Sequence, residues 1–271
     1  MHFAIAAEPG ALDRRSEDST ATTPGLLVLL DGATARTETG CIHGVAWFAQ
    51  HLADAIVQEL QGNASGEPAH ALAAAIQRTA DLHRDTCDLT HPGTPSAAVA
   101  IVHVAGDALR YLVLGDVTVV METASGIRVT SDQRVSQTAS AERAVADAMA
   151  ATDPEKPAAL VRMKHAELAA RNVPDGYWVA TTDPDAARHA MTGEVQLEEV
   201  RQVAVLSDGA ARVVDLFGIH DWPGVLELLQ YRGPEALIRE VRAAEASDPE
   251  AKRWPRNKIS DDATVAYSGG N

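Results

Sequence analysis

Four short apolar segments follow one another closely in the first half of the chain, and their spacing constrains the fold more than any other feature. They cover residues 97–104, 109–114, 117–121 and 127–130. Glycine paired with aspartate or serine separates them, at Gly106-Asp107, Gly115-Asp116 and Ser125-Gly126. Short apolar runs separated by such turn residues predict antiparallel strands joined by hairpins.

Helix-like and strand-like stretches alternate over the rest of the chain. Apolar side chains at helical spacing predict helices over 42–60, 68–86, 222–231 and 233–247. Further strands are predicted at 26–30, 177–181, 203–206 and 263–267. A polar segment, 133–172, is predicted to be mainly helical. Because the strands form hairpins and the helices stand in separate blocks, the sequence predicts one α+β layered domain over 1–271.

Charge and composition exclude several classes of protein. Lysine and arginine total 23 against 38 acidic residues, a net charge of −15, so the chain as a whole repels nucleic-acid phosphates. The longest apolar run near the start, Leu26–Leu30, is far too short to span a membrane. No secretory leader is visible and only two cysteines are present, which predicts a cytoplasmic location. Abundant alanine, and arginine in place of lysine, are typical of a GC-rich bacterial genome.

Four aspartates stand where an apolar strand ends or begins. Asp31 follows 26–30, Asp208 follows 203–207, Asp116 follows 111–115, and Asp261 precedes the last strand. Carboxylates that meet at strand ends stay ionised only beside cations, and their hard oxygen atoms suit Mg²⁺ or Mn²⁺. Asp-Gly is also an ordinary turn dipeptide, so each of these positions taken alone has a purely structural interpretation.

The order of these motifs along the chain carries more information than any one of them. They are Arg14-Arg15-Ser16-Glu17-Asp18, Leu29-Leu30-Asp31-Gly32, Thr94-Pro95-Ser96-Ala97-Ala98-Val99, Gly115-Asp116, Leu206-Ser207-Asp208-Gly209 and Asp261-Asp262-Ala263-Thr264-Val265. In this order the sequence resembles the metal-dependent protein phosphatases of type 2C (the PPM family), as a divergent bacterial-like member. The resemblance extends over about 14–266.

The resemblance implies a fold and an activity. The fold is a four-layer α-β-β-α sandwich, two central antiparallel sheets flanked by helices, with a variable flap at 133–172. The activity is hydrolysis of phosphoserine and phosphothreonine in proteins by a metal-activated water, with two Mn²⁺ or Mg²⁺ ions and a third in bacterial relatives. Two alternatives stay open: a catalytically weak or inactive regulatory or binding module of the same fold, and a phosphohydrolase for small molecules.

Residue roles follow from the same resemblance. Asp31 bridges two metal ions, the Gly32 carbonyl binds one of them, and Asp208 and Asp261 hold the other. Asp116 corresponds to a ligand of the third ion. Glu17 and Asp18 contact the ions through water or hold the direct ligands in place. Either Arg14 or Arg15 holds the substrate phosphate.

The sequence departs from the family pattern at three places. Ala33-Thr34-Ala35 follows the first Asp-Gly where the family often has His-Gly-Gly or Met-Gly-Gly, so the histidine sometimes credited as general acid is missing. His43 could take that role, or it could have an ordinary capping or packing role. Val117-Thr118 follows Gly115-Asp116 where the family has Ser-Arg. Asp262 replaces an asparagine, which predicts either tighter cation binding or a solvent-facing carboxylate.

Two further patterns have a functional and a structural interpretation. Cys41 and His43, with His51 later, make a weak zinc pattern; Cys87 and His83 share a helical face, but the sequence does not place them beside Cys41. The basic segment 252–258 is either a solvated loop or a rim that binds phosphopeptides.

Overall fold

In a computed structural model that describes residues 1–62 and 66–269, the strands pair into two antiparallel sheets. Within those ranges the strands are β1 (Ala4–Glu8), β2 (Ser19–Thr23), β3 (Leu26–Gly32), β4 (Ala97–Ala105), β5 (Ala108–Leu114), β6 (Thr118–Thr123), β7 (Gly126–Ser131), β8 (Met191–Gln196), β9 (Val200–Leu206) and β10 (Ala263–Gly269). One sheet has the order β1-β10-β9-β6-β7 and the other β2-β3-β4-β5-β8.

Helices cover the outer face of each sheet and one end of the sandwich. They are α1 (Val45–Gly62), α2 (Pro68–His83), α3 (Arg134–Gln137), α4 (Ser140–Ala148), α5 (Lys156–Ala169), α6 (Asp208–Asp215), α7 (Trp222–Arg232) and α8 (Pro234–Ser247). Helices α1 and α2 pack on the sheet formed by β2, β3, β4, β5 and β8, and α6 to α8 pack on the other sheet. The predicted four-layer α-β-β-α sandwich is therefore confirmed.

Strand β3 shows why an unbroken apolar run forms a strand here. Leu26, Val28 and Leu30 pack against α1 and α2, while Leu27 and Leu29 pack against the opposite sheet. Successive strand side chains point to opposite faces, and both faces of this sheet are covered. The run of leucines and valine therefore has no polar alternation because no face of the strand meets water.

The segment 133–172 folds as three helices, α3 to α5, that lie at one end of the sandwich. A small apolar cluster holds two of them together, in which Ala146 of α4 packs with Ala159, Leu160 and Met163 of α5. Most of this segment's remaining surface is polar, and residues from all three helices line the cavity described below.

Several boundaries differ from the predictions. The segment 177–181 is not a strand, because Tyr177 and Ala180 make only isolated bridges, to Arg171 and Ala97. Strands β1, β2 and β8 were not predicted: they are short edge strands with partly exposed, weakly apolar sequences. Helix α1 begins three residues later than predicted and α2 ends at His83.

In the described part of the chain, no helix combines the length and the apolar character that crossing a membrane requires.

Candidate active site

Four strand-end aspartates converge at one end of the sandwich. Asp31 lies near the end of β3, Asp116 follows β5, Asp208 is the first residue of α6, and Asp261 lies two residues before β10. All four line one cavity of about 360 Å³. The antiparallel order explains the convergence, since β3, β5 and β9 end where β10 begins.

The carboxylates are close enough to perturb one another. The Asp208 backbone amide donates a hydrogen bond to Oδ2 of Asp31 at 3.0 Å. Burial, and then the charges of Asp208, Asp18 and Asp116, raise the pKa of Asp31 well above its usual value. Burial and the neighbouring Asp261 likewise raise the pKa of Asp208. The protein alone therefore does not neutralise this cluster.

Asp18 and Asp116 show the same deficit of positive charge. Burial, followed by the charge of Asp208, raises the pKa of each carboxyl to about 7. Both carboxylate oxygens of Asp18 are buried, and neither is in hydrogen-bonding geometry with a donor within 1–62 and 66–269, although the nearby Thr264 and Ser207 hydroxyls offset part of the rise in its pKa. Buried carboxylates without donors are costly unless a cation is bound beside them. The donor set, which is all oxygen, fits Mn²⁺ or Mg²⁺.

Asp261 differs from the other three because two cationic side chains hold it. Nη2 of Arg212 donates to Oδ2 at 2.8 Å, and Nζ of Lys258 donates to Oδ1 at 2.6 Å. Burial alone would lower the pKa of Lys258, but Asp261, Asp208 and Asp31 raise it above its ordinary value. Arg212 is fixed in turn by Glu245 at 3.0 Å. These contacts orient Asp261 and supply part of the positive charge of the site.

Asp262 and Thr34, two departures from the family pattern, both position Glu17. The Asp262 carboxylate accepts the backbone amides of Gly10 at 2.8 Å and Glu17 at 2.6 Å. Asp262, which is half-buried, thus holds the N-terminal loop through these two hydrogen bonds. The Thr34 hydroxyl donates to Oε2 of Glu17 at 2.5 Å. Glu17, next to Asp18, is therefore fixed by both its backbone and its side chain.

Glycine is needed after two of the aspartates because other backbone comes very close. A Cβ on Gly209 would lie 2.0 Å from the Asp262 carbonyl oxygen, and a Cβ on Gly32 would lie 2.5 Å from the Glu17 carbonyl oxygen. In both cases the obstacle is main chain, which cannot rotate away. The Asp-Gly pairs therefore allow separate chain segments to meet at the cavity, which a simple turn would not require.

Cationic side chains that the sequence analysis did not identify also line the cavity. Arg36 comes from the loop after β3, and burial lowers its pKa. Arg143 and Lys164 reach in from the 133–172 segment, paired with Glu167 at 2.6 Å and 3.1 Å. These three residues belong to no motif, and only the position of their segments in the fold brings them to the site.

The remaining candidate residues lie outside this cavity. Arg14 and Arg15 are exposed on the N-terminal loop and line an adjoining groove with Glu17 and Lys258. His43 stacks on Trp47, with ring centroids 4.3 Å apart, and its Nε2 lies 3.2 Å from the Thr86 hydroxyl. The phosphate-binding role of the arginines and the general-acid role of His43 stay predictions.

The basic segment 252–258 has a structural part and a part that faces the site. Arg256 is 4% exposed and pairs with Asp248 at 2.8 Å, so it is not a solvated residue. Lys258 faces the aspartates. The segment thus anchors itself through Arg256, which also lines the cavity, and presents Lys258 to the aspartates.

Comparison with solved structures identifies the fold. PstP/Ppp, a serine/threonine phosphatase of Mycobacterium tuberculosis, has a TM-score of 0.58 at 16% identity, covering 100% of this chain and 98% of that chain. The PstP catalytic domain in complex with two manganese ions gives 0.55 at 17%, covering 100% and 98%. Stp1 of Staphylococcus aureus gives 0.57 at 13%, covering 99% and 94%.

No family model and no curated protein matches the sequence. The agreement in three dimensions nevertheless extends over essentially the whole chain. The fold of this chain is therefore that of the bacterial serine/threonine phosphatases, with its aspartate cluster at one end of the paired sheets.

Proposed function

We propose that the protein is a metal-dependent phosphatase that hydrolyses phosphoserine and phosphothreonine in protein substrates. The observation that carries the proposal is the convergence of Asp31, Asp116, Asp208 and Asp261 on one cavity, with the buried, unpartnered Asp18 beside them. The similar PstP catalytic domain in complex with two manganese ions supports a divalent cation as the missing positive charge.

Asp31, Asp208 and Asp261 would hold the ions, with the Gly32 carbonyl as a further ligand and Asp116 as the ligand of a third ion. Glu17 and Asp18 would contact the ions through water molecules or hold the direct ligands in place. Divalent ions bound there would activate a water molecule and neutralise the phosphoryl oxygens. Mn²⁺ and Mg²⁺ both suit this donor set.

The cationic residues would bind and orient the substrate. Arg36 and Arg143 line the same cavity as the aspartates, and a guanidinium can form two parallel hydrogen bonds to a phosphate. Lys258 would fix Asp261 in one orientation through its 2.6 Å contact. Arg14 or Arg15, in the adjoining groove, would contact the phosphate from the other side or the peptide that carries it.

The segment 133–172 would act as the flap that selects substrates. It contributes Arg143 and Lys164 to the cavity wall, and a small apolar cluster of its own packs α4 against α5. We also propose that the protein is bacterial and cytoplasmic. Its partners would be phosphoproteins, with no binding to nucleic acid or membranes.

The test is phosphate release from phosphoserine and phosphothreonine peptides in Mn²⁺ or Mg²⁺, with Asp208→Asn against the control Asp54→Asn. Asp54 is an exposed carboxylate on α1, away from the cavity. We expect Asp208→Asn to reduce kcat/KM by at least about 100-fold, since even outer-shell partners of metals cost 10- to 100-fold. The control should retain wild-type turnover.

The same assay separates the alternatives. Turnover of aryl phosphates or phosphorylated metabolites without any turnover of phosphopeptides would replace the protein substrate by a small molecule. Calorimetric Mn²⁺ binding without turnover of any phosphate ester would make the chain a binding module. Equal activity of wild type and Asp208→Asn would remove Asp208 from the site.

A further inference from the structure

Two cysteines and a histidine meet on the far side of the loop that follows Asp31. Cys41 lies four residues before α1, His83 is the last residue of α2, and Cys87 is in the turn after it. The two Sγ atoms are 3.1 Å apart, and Sγ of Cys41 is 3.5 Å from Nδ1 of His83. One ligand atom from each of the three residues lies within 4.8 Å of the others. The fold thus places the Cys87 and His83 pair beside Cys41, which the sequence alone did not.

The histidine in this cluster lacks an ordinary partner. His83 is 1% exposed, its Nε2 has no hydrogen-bond partner in the described ranges, and its Nδ1 faces a sulfur atom. Burial, with His43 and His51 nearby, lowers the pKa of His83, so the ring is neutral at pH 7. A neutral imidazole is the form that binds metals.

The surroundings of the two sulfur atoms act in opposite directions, favouring the thiolate at Cys87 and the thiol at Cys41. Slight burial raises the pKa of Cys87, but hydrogen bonds from Cys41 and from the backbone amides of Ile42 and His43 lower it below its usual value. Burial and the adjacent Cys87 raise the pKa of Cys41, although the amides of His43 and Gly44 oppose this. A cation between the two sulfur atoms would allow both to ionise.

We propose that Cys41, His83 and Cys87 bind one zinc ion, with water as the fourth ligand. Zn–S of about 2.3 Å and Zn–N of about 2.0–2.1 Å at tetrahedral angles put S and N about 3.5 Å apart and the two S atoms about 3.8 Å apart. The separation of Cys41 Sγ and His83 Nδ1 already matches, and the S–S separation needs to open by about 0.7 Å. A disulfide would instead need the sulfur atoms to close by about 1 Å.

The zinc ion would join the loop 33–44 to the end of α2 across 46 residues of chain. This loop carries Thr34 and Arg36 to the aspartate cavity. The site is separate from the aspartates in position and in ligand chemistry, because sulfur and imidazole prefer zinc and carboxylates prefer harder ions. Its role is to hold the loop rather than to take part in hydrolysis.

Cobalt titration of the reduced whole protein, in excess Mg²⁺, tests the proposal. Cobalt bound to thiolate gives an intense near-ultraviolet charge-transfer band, which cobalt on carboxylates cannot give. We expect this band to saturate at one equivalent and to disappear on adding one equivalent of zinc. Zinc should also protect both thiols from alkylation until a chelator is added.

Cys41→Ser and Cys87→Ser should each lose the saturating band, with folding checked by circular dichroism. The matched control His51→Gln, which changes a neighbouring imidazole outside the cluster, should keep it, and so should Asp208→Asn. Absence of the band in the wild type, its survival in both serine variants, or rapid formation of a Cys41–Cys87 disulfide in the presence of zinc would overturn the proposal. Phosphatase activity enters none of these readouts, so failure of the proposed function would leave them unchanged.

Discussion

Replacing Asp18 by asparagine should make the metal-free protein more stable at neutral pH and less dependent on pH. Burial and the charge of Asp208 raise the pKa of the Asp18 carboxyl from 3.8 to about 7. Below pH 4 the carboxyl is protonated in both the folded and the unfolded protein, so it carries no penalty. Between pH 4 and 7 the unfolded chain releases its proton and the folded chain keeps it. Stability of the wild type therefore falls as the pH rises through this window and levels off above it.

The size of the effect follows from the same shift. A rise of about 3 units corresponds to a penalty of at most about 4 kcal/mol for ionised Asp18 above pH 7. Asparagine removes the charge but leaves an amide where both oxygens of Asp18 lack partners, which costs about 1–3 kcal/mol. The net gain of Asp18→Asn at pH 8 is therefore about 1–3 kcal/mol. At pH 4 the variant should be no more stable than the wild type.

Urea unfolding in a chelator, followed by circular dichroism from pH 4 to 8.5, measures this difference. Asp54→Asn is the matched control, since it removes an exposed carboxylate of the same kind and should change stability by less than about 0.5 kcal/mol. Saturating Mn²⁺ should reduce the advantage of Asp18→Asn over wild type, because a ligand at 100 times its Kd stabilises the protein that binds it by about 2.7 kcal/mol, and the wild type with its full set of carboxylates should bind the ion more tightly.

Parallel pH profiles for wild type and Asp18→Asn in chelator would refute the reasoning. They would mean that the carboxyl is already neutralised by other groups of the protein. A variant less stable than wild type at every pH would mean that the cost of burying the amide exceeds the relief of charge.

Three further predictions concern the phosphate contact, the aspartate cavity and the core. Arg36→Ala should raise KM for a phosphopeptide about 10-fold, equivalent to about 1.4 kcal/mol. Arg14→Ala should have the smaller effect, because Arg14 is exposed in the adjoining groove, and the opposite order in steady-state kinetics would make Arg14 the main phosphate contact. Gly209→Ala should lower stability by about 1–3 kcal/mol in thermal melts and abolish turnover, because its Cβ would collide with the Asp262 main chain. The control Gly62→Ala, with open space around it, should be neutral or stabilising. Equal melting temperatures of the two variants would show that the main chain moves aside at Gly209. Leu52→Ala, at a fully buried position, should cost about 2–5 kcal/mol in urea unfolding, and a loss below about 1 kcal/mol would mean that the core closes around the gap.

The strand-end aspartates could be predicted because each lies beside an apolar run that shows where its strand stops. The same logic failed at 177–181, where a short apolar stretch makes only isolated bridges. Strands β1, β2 and β8 lie at or beside sheet edges and carry little hydrophobic signal. Their formation depends on the neighbouring strand, so periodicity within the segment does not show it.

Contacts between distant segments were beyond prediction from the sequence. Nothing in the segment around Arg212 indicates that its side chain reaches Asp261 at 2.8 Å, 49 residues along the chain. Arg143 and Lys164 come from a segment whose placement depends on packing and not on a motif. His83 and Cys87 could be paired by helical spacing, but only the tertiary fold brings them to Cys41.

Strand β10 inserts between β1 and β9 in the first sheet, pairing Ala4 with Tyr267 on one side and Val265 with Leu206 on the other. Until β10 has paired, β1 has no strand to hydrogen-bond with in that sheet, and Asp261 is not in position. A chain in which β10 is still unpaired therefore carries Asp31, Asp116 and Asp208 without a complete cavity. Because contacts between such widely separated segments form slowly, we expect the cavity to assemble late in folding.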